Sequence, residues 1–222
     1  MKKIYLLLAL LSLSSIGWSQ SVNDTLQKFK PGIYKSFSEL KSNQPSIPLK
    51  YKVIKERVRI NIITGEKIEL YKLDIDKKEM KKNEQVFGFS DGINIYIGTL
   101  FYKFYKWRPE VVERSVRLAP RSHFALVESV GILYYFEDMG FNAMSNSNGG
   151  YGGNSRYIRK NILDTRTGII YELSKGVVRE VIADDKSLLD AFNNEKQKKR
   201  NMEHYIKLYN DRKRGDYSES LE

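Results

Sequence analysis

Side chains with catalytic potential are few. The chain holds two histidines, His123 and His204, and no cysteine. A nucleophile–histidine–acid triad must use one of those two imidazoles. His204 sits in a strongly basic stretch, where an imidazole poised to take up a proton is hard to arrange, and His123 follows an arginine-rich segment. No Gly-x-Ser-x-Gly turn is present. Without Cys, and without a His-Glu-x-x-His spacing, no zinc site is predicted and no metal ligand is assigned. Asp74, Asp76 and Glu79 have a calcium-like spacing. The sixth position of such a loop needs Gly for its sharp turn and here holds Glu79, so the stretch reads as a solvated connection. The glycines around Tyr151 lack the Lys-Ser/Thr of a phosphate loop and do not open a helix after a strand. Glu137 and Asp138 are adjacent, so on a strand they point to opposite faces and cannot flank one bond. No catalytic residue and no cofactor is assigned on these grounds. A hydrolase of envelope polymers, using carboxylates distant in sequence, is the alternative left open.

The remaining chemical feature is the basic excess, a formal net charge of +11. Between residues 101 and 125, six Lys/Arg stand against two Asp/Glu, with Phe101, Tyr102, Phe104, Tyr105 and Trp107 interleaved. Aromatic rings beside guanidinium groups can bind sugars, acidic glycans or single-stranded nucleic acid. Arg108, Arg114, Arg117 and Arg121 are the ligand-binding candidates, with Trp107 and Tyr105 as stacking partners. The same residues also fit half-buried strand aromatics beside a solvated cationic face.

The elements that must carry these residues start behind a leader. Lys2 and Lys3, an apolar run over residues 4–13, and the small residues Gly17 and Ser19 predict a secretory signal cleaved after Ser19. The apolar run is shorter than the roughly 20 residues a spanning helix needs, so no transmembrane segment is expected after cleavage. Loss of Lys2 and Lys3 lowers the formal charge from +11 to +9. Export makes acidic glycan, lipid headgroups or an envelope protein the expected partners and sets nucleic acid aside. Without cysteine there is no disulfide, so stability must come from a core, and charged residues at 29% with aromatics at 12% fit a folded globular chain.

The middle of the chain is organised around VFGFSDGINIYI, residues 86–97. Asp-Gly between apolar runs predicts a hairpin with a two-residue type I′ turn at Asp91-Gly92, setting Ser90 opposite Ile93 and Phe87 opposite Tyr96. One face then holds Val86, Ile93, Ile95 and Ile97, and the other Phe87, Phe89, Asn94 and Tyr96. Residues 51–73 predict a second hairpin, with Ile60 opposite Ile68, Val58 opposite Leu70 and Gly65 left-handed. A strand is expected at 101–106 and a long loop at 107–121. Two strands, or one bent strand, are expected over 124–136, split near Gly131. A flexible glycine-rich loop follows at 140–155. A last hairpin over 157–173 has a four-residue loop, 165–168, that sets Leu163 opposite Ile170. Upstream, Ser36 with Glu39 three residues on predicts a short capped helix at 36–41. From Ser174 the apolar period changes to about 3.6. Ser174 and Asp184 or Asp185 are helix caps, Asn193 and Asn194 a break. Met202, Tyr205, Ile206 and Tyr209 continue a last helix, in a stretch (193–214) with eight Lys/Arg and three Asp/Glu.

Strands first and helices last predict an α+β fold, a curved antiparallel sheet built of hairpins followed by a C-terminal helical segment. The expected parts are the leader (1–19), an N-terminal arm with its short helix (20–50), an antiparallel β domain (51–173), C-terminal helices (174–214) and an acidic tail (215–222). The segments YKSFSELKSNQPS, GFSDGINIYI, ILDTRTGIIYEL and HYIKLYNDR together resemble an uncharacterised family of exported proteins from Bacteroidetes. The resemblance covers most of the mature chain and implies a periplasmic or extracellular address in a Gram-negative cell. It brings no catalytic residue with it, and NSNGGYGGN looks like a local insertion relative to its pattern.

Overall fold

A computed structural model of the protein describes residues 29–60, 65–75, 84–99, 111–112, 116–119, 121–142 and 155–214. Its strands are β1 (Gly32–Tyr34), β2 (Val53–Arg59), β3 (Lys67–Leu73), β4 (Gln85–Val86), β5 (Gly88–Ser90), β6 (Ile95–Gly98), β7 (Val111–Val112), β8 (Val116–Arg117), β9 (Phe124–Ser129), β10 (Leu133–Asn142), β11 (Ser155–Asp164) and β12 (Ile169–Glu172). Helix α1 (Phe37–Lys41) follows β1, and α2 (Lys175–Val181), α3 (Lys186–Asn194) and α4 (Lys198–Arg212) follow β12. The main antiparallel sheet runs β1-β5-β6-β9-β10-β11-β12-β7, and the β2–β3 hairpin joins it where Tyr71 of β3 pairs with Phe124 of β9. It curls strongly into a half-barrel, with the helices at its C-terminal end, which is the expected α+β class. β4 and β8 form a separate two-stranded ribbon.

Alternation sorts the sheet's residues between two coverings. On one face Leu133, Tyr135 and Ile162 pack under α2, α3 and α4 against Val178, Ile182, Phe192, Ile206 and Tyr209. On the other, Tyr134, Phe136 and Leu163 meet Phe87, Ile95 and Ile97, with Phe29 and Leu40 of the N-terminal segment laid over them. Beyond the helices, Met139 on the helix-side face is covered by Ile60, Ile68 and Leu70 of the β2–β3 hairpin. The helices begin where their caps predict: Glu39 N–H bonds Ser36 Oγ (3.3 Å), Val177 N–H bonds Ser174 Oγ (3.3 Å) and Leu188 N–H bonds Asp185 Oδ1 (2.9 Å).

The last hairpin has the expected register, Leu163 opposite Ile170, with Gly168 left-handed (φ +76°). The two earlier hairpins differ by two residues. In the central one Ser90 faces Ile95 and Phe89 faces Tyr96, so the loop is 91–94 and the predicted type I′ turn is corrected. Only Gly92 of the Asp91-Gly92 pair has positive φ (+94°). The Asp91 carboxylate closes the loop, accepting from Ile93 N–H (2.9 Å), Asn94 N–H (2.7 Å) and the Tyr96 hydroxyl (2.9 Å). Ile93, expected on the aliphatic face, is therefore 84% exposed at the tip. Phe87 lies at the break between β4 and β5, so it joins Ile95 and Ile97, while Val86 joins Phe89 and Tyr96. In the second hairpin Val58 faces Ile68, and Gly65 is left-handed as expected (φ +70°).

The loop expected at 107–121 contains the short strands β7 and β8, and β10 runs to Asn142, into the segment read as a glycine-rich loop. The span 124–136 is two strands, separated by Val130 to Ile132. The leader, the strand expected at 101–106, most of the charged turn after Asp74, residues 143–154 and the tail lie outside the described residues.

Candidate functional site

The arginine row singled out in the sequence is described only at its end. Tyr105, Trp107, Arg108 and Arg114 lie outside the described residues. The backbone of Arg117 sits in β8 opposite Gln85, and Arg121 is exposed in the turn before β9. His123 lies two residues on. Its Nε2 is 3.1 Å from Glu56 Oε2, and the same carboxylate pairs with Lys72. Burial lowers the imidazole's proton affinity, against the pull of Glu56, so it is held neutral more firmly than a free histidine. His204 is exposed on α4.

Glu137 and Asp138 do point to opposite faces, and each seeds a different polar cluster. Asp138 is fully buried on the face away from the helices. Its cross-strand partner Arg159, 15% exposed, holds it through two bonds, Nε to Oδ1 (2.6 Å) and Nη2 to Oδ2 (2.7 Å). Asn161 Nδ2 donates to Asp138 Oδ1 (3.0 Å) and to the Arg159 carbonyl (3.1 Å). These bonds fix the amide's orientation and leave the buried Asn161 Oδ1 without a donor among the described residues. The planar fork matches the carboxylate and offsets the cost of burying it.

On the helix-side face, between the α4 contact at Tyr135 and the β2–β3 contact at Met139, lies a charged patch. Tyr135 donates to Glu137 Oε1 (2.7 Å). Lys160 bridges Glu137 (3.3 Å) and Glu203 of α4 (3.2 Å), and Lys207 holds the other Glu203 oxygen (2.7 Å). The β-bulge where β9 meets β10 comes opposite Tyr135 and Phe136, and Glu128 lies in it. Partial desolvation, then the Glu137 and Glu203 carboxylates, push the Glu128 carboxyl above its ordinary range. Sequence reasoning missed this set, because its members come from β9, β10, β11 and α4 and meet only once the registers are known.

The two ends of α4 differ in electrostatics. At the C-terminal end every cation has an acid: Arg212 pairs with Asp185 (3.0 Å), Lys213 with Asp184 (3.0 Å) and Arg214 with Asp211 (3.1 Å). At the N-terminal end, Lys196, Lys199 and Arg200 are exposed, and none of the ion pairs among the described residues reaches them. The first turn holds no acid, and Gln197 makes no side-chain cap. The helix dipole favours cations at the C-terminus and opposes them at the N-terminus, by about 0.3–1 kcal/mol each at low salt. The unpaired cations thus stand where the helix itself repels them.

Among the described residues no helix is long and apolar enough to cross a membrane, and no group of three or more potential metal ligands gathers. No curated protein and no solved structure matches the chain. Residues 32–213 do match a family described only as a Family of unknown function (DUF6563), and the chain belongs to that family.

Proposed function

We propose that this protein is an exported, non-enzymatic binding module that engages anionic envelope material, acidic glycan or lipid headgroups, by charge. The observation that supports it is the contrast along α4. Cations are neutralised by aspartates where the helix dipole welcomes them and left bare, at Lys196, Lys199 and Arg200, where it opposes them. An arrangement unfavourable in the free protein is relieved when an anion covers it. Arg108, Arg114, Arg117 and Arg121, with Tyr105 and Trp107, form the second surface in this reading. The test uses the mature chain, Gln20 onward, against phosphatidylglycerol vesicles and an immobilised acidic glycan over a salt series. Exposed charges are screened within about 10 Å at 0.1 M salt, so binding should weaken steeply as salt rises. Changing Lys196, Lys199 and Arg200 together to Gln should remove most of it, and changing the four arginines to Ser separates the two surfaces. Salt-insensitive binding, or full retention by both variants, refutes the proposal.

A second reading, a hydrolase of envelope polymers, draws on Glu128. A carboxyl pushed up beside Glu203, whose own carboxyl is held down by Lys207 and Lys160 against the effect of burial, is the divergence that separates an acid from a base. Turnover of an envelope polysaccharide that disappears in Glu128→Gln would replace the binding proposal with this one.

A further inference from the structure

From the open edge of the β2–β3 hairpin we infer a second docking site, independent of the α4 surface: β2 accepts an extended acidic segment of a partner protein as an added antiparallel or parallel strand. Among the described residues β2 pairs with β3 and with no other strand. The direction of its backbone groups follows from two bonds, Ile60 N–H to Glu66 O (2.8 Å) and Asp74 N–H to Lys52 O (2.9 Å). In an antiparallel pair, alternate residues aim both N–H and C=O at the same neighbour. Residues 52, 54, 56, 58 and 60 therefore face β3, and Val53, Lys55, Arg57 and Arg59 face outward. Arg59 O is taken by the Arg156 guanidinium (3.3 Å). The N–H and C=O groups of Val53, Lys55 and Arg57 have no partner among the described residues. They form a donor–acceptor ladder within a strand about 20 Å long.

The side chains along that edge specify the occupant. Lys55, Arg57 and Arg59 share one face of β2 and are exposed; opposite them on β3 are Tyr71, Glu69 and Lys67. Four cations on this face thus stand against the single carboxylate of Glu69, which is already engaged by Lys55 and Arg57. The other face presents Ile54, 40% exposed, with Glu56 and Val58 behind it. A strand laid outside β2 sets every second side chain beside the cations and the rest beside Ile54 and Val58. The complementary sequence alternates acidic and apolar residues. A second copy of this chain does not fit, because a β2–β2 pairing brings the same cations side by side. Lysines and arginines on an edge also guard against aggregation, and that role alone predicts no acidic ligand.

The probe is a blocked, fluorophore-tagged peptide, Glu-Val-Glu-Val-Glu-Val-Glu, with Lys-Val-Lys-Val-Lys-Val-Lys as control. Fluorescence anisotropy should show saturable binding of the acidic peptide only. Amide exchange should slow selectively at Val53, Lys55 and Arg57, with residues 54, 56 and 58 unchanged because their N–H groups already bond β3. Lys55→Pro removes one outward donor and no β2–β3 bond, so it should keep the melting temperature and weaken the peptide by roughly tenfold or more. Arg57→Glu should weaken the acidic peptide and improve the lysine control. The α4 triple variant should bind the peptide normally, so failure here and failure of the anionic-surface proposal remain distinct. Equal binding of both peptides, or no selective protection at the three outward amides, overturns the inference. Protection that rises with protein concentration alone also overturns it, assigning the edge to self-association.

Discussion

Removing the side chain of Asn210 tests how α4 is fastened to the sheet. Asn210 pairs with the backbone as a neighbouring strand does: Leu133 N–H donates to its Oδ1 (2.9 Å) and its Nδ2 donates to Leu133 O (2.7 Å), with a further bond to Ser129 Oγ (3.3 Å). Both bonds to Leu133 are buried. Asn210→Ala strands one N–H and one C=O. A buried group left without its partner costs about 1–3 kcal/mol, so stranding two should cost about 2–6 kcal/mol. With a urea dependence of about 2 kcal/mol per molar, the unfolding midpoint should fall by about 1–3 M. Gly131 explains why the fit is close. A Cβ there lies 2.4 Å from Asn210 Cγ, 2.6 Å from Oδ1 and 2.8 Å from Cβ, so Gly131→Ala must push the amide out of place. The two changes should therefore be less than additive, because Asn210→Ala removes the first two obstacles and leaves the third. The assay is urea unfolding of the wild type, both single variants and the double variant, followed by far-UV circular dichroism. A midpoint shift for Asn210→Ala below about 0.3 M, or full additivity in the cycle, refutes the account.

Other perturbations test separate parts of the fold. Arg159→Met leaves Asp138 charged and buried without its fork, and should destabilise by about 3–5 kcal/mol; an unchanged urea midpoint would show that the carboxylate finds another partner. Gly92→Val forces a β-branched residue to φ +94° and should cost about 1–3 kcal/mol, measured the same way. The Asp91 carboxyl is held below its ordinary value; burial alone would raise it, but the bonds from Asn94, Ile93 and Tyr96 outweigh burial. Its folded value lies under the unfolded one, so its stabilisation is present above about pH 4 and is lost as pH falls through the depressed value. Asp91→Asn should accordingly destabilise at pH 7 and flatten the acid limb of the stability curve, and a variant with an unaltered acid limb would contradict this.

The two misplaced registers show what an alternating pattern can and cannot specify. A slip of one residue exchanges buried and exposed faces, so the hydrophobic pattern forbids it. A slip of two keeps the paired side chains on their faces, and it is the slip found in both early hairpins: Ile95 and Ile97 still oppose the face of Phe89 and Tyr96, and Val58, Ile60, Ile68 and Leu70 still share one, while Val86 and Phe87 change faces only because the break between β4 and β5 lies there. Only turn chemistry distinguishes the alternatives. Asp-Gly favours the two-residue turn, but here the Asp91 carboxylate gathers two backbone N–H groups and a tyrosine hydroxyl, which the longer loop allows. In the last hairpin local chemistry and pattern agree: Asp164 accepts from Arg166 N–H through its side chain and from Gly168 N–H through its carbonyl, closing the four-residue loop at the expected place. The polar clusters were harder to read for a related reason. Glu137 and Asp138 announce one charge per face, but their partners Lys160 and Arg159 lie across a long hairpin, and the pairing depends on a register its glycine-rich connection does not reveal. The open edge of β2 is one step further removed. The cations of KERVR are plain in the sequence, but that no second strand among the described residues pairs with them is a property of strand order, which no local pattern encodes.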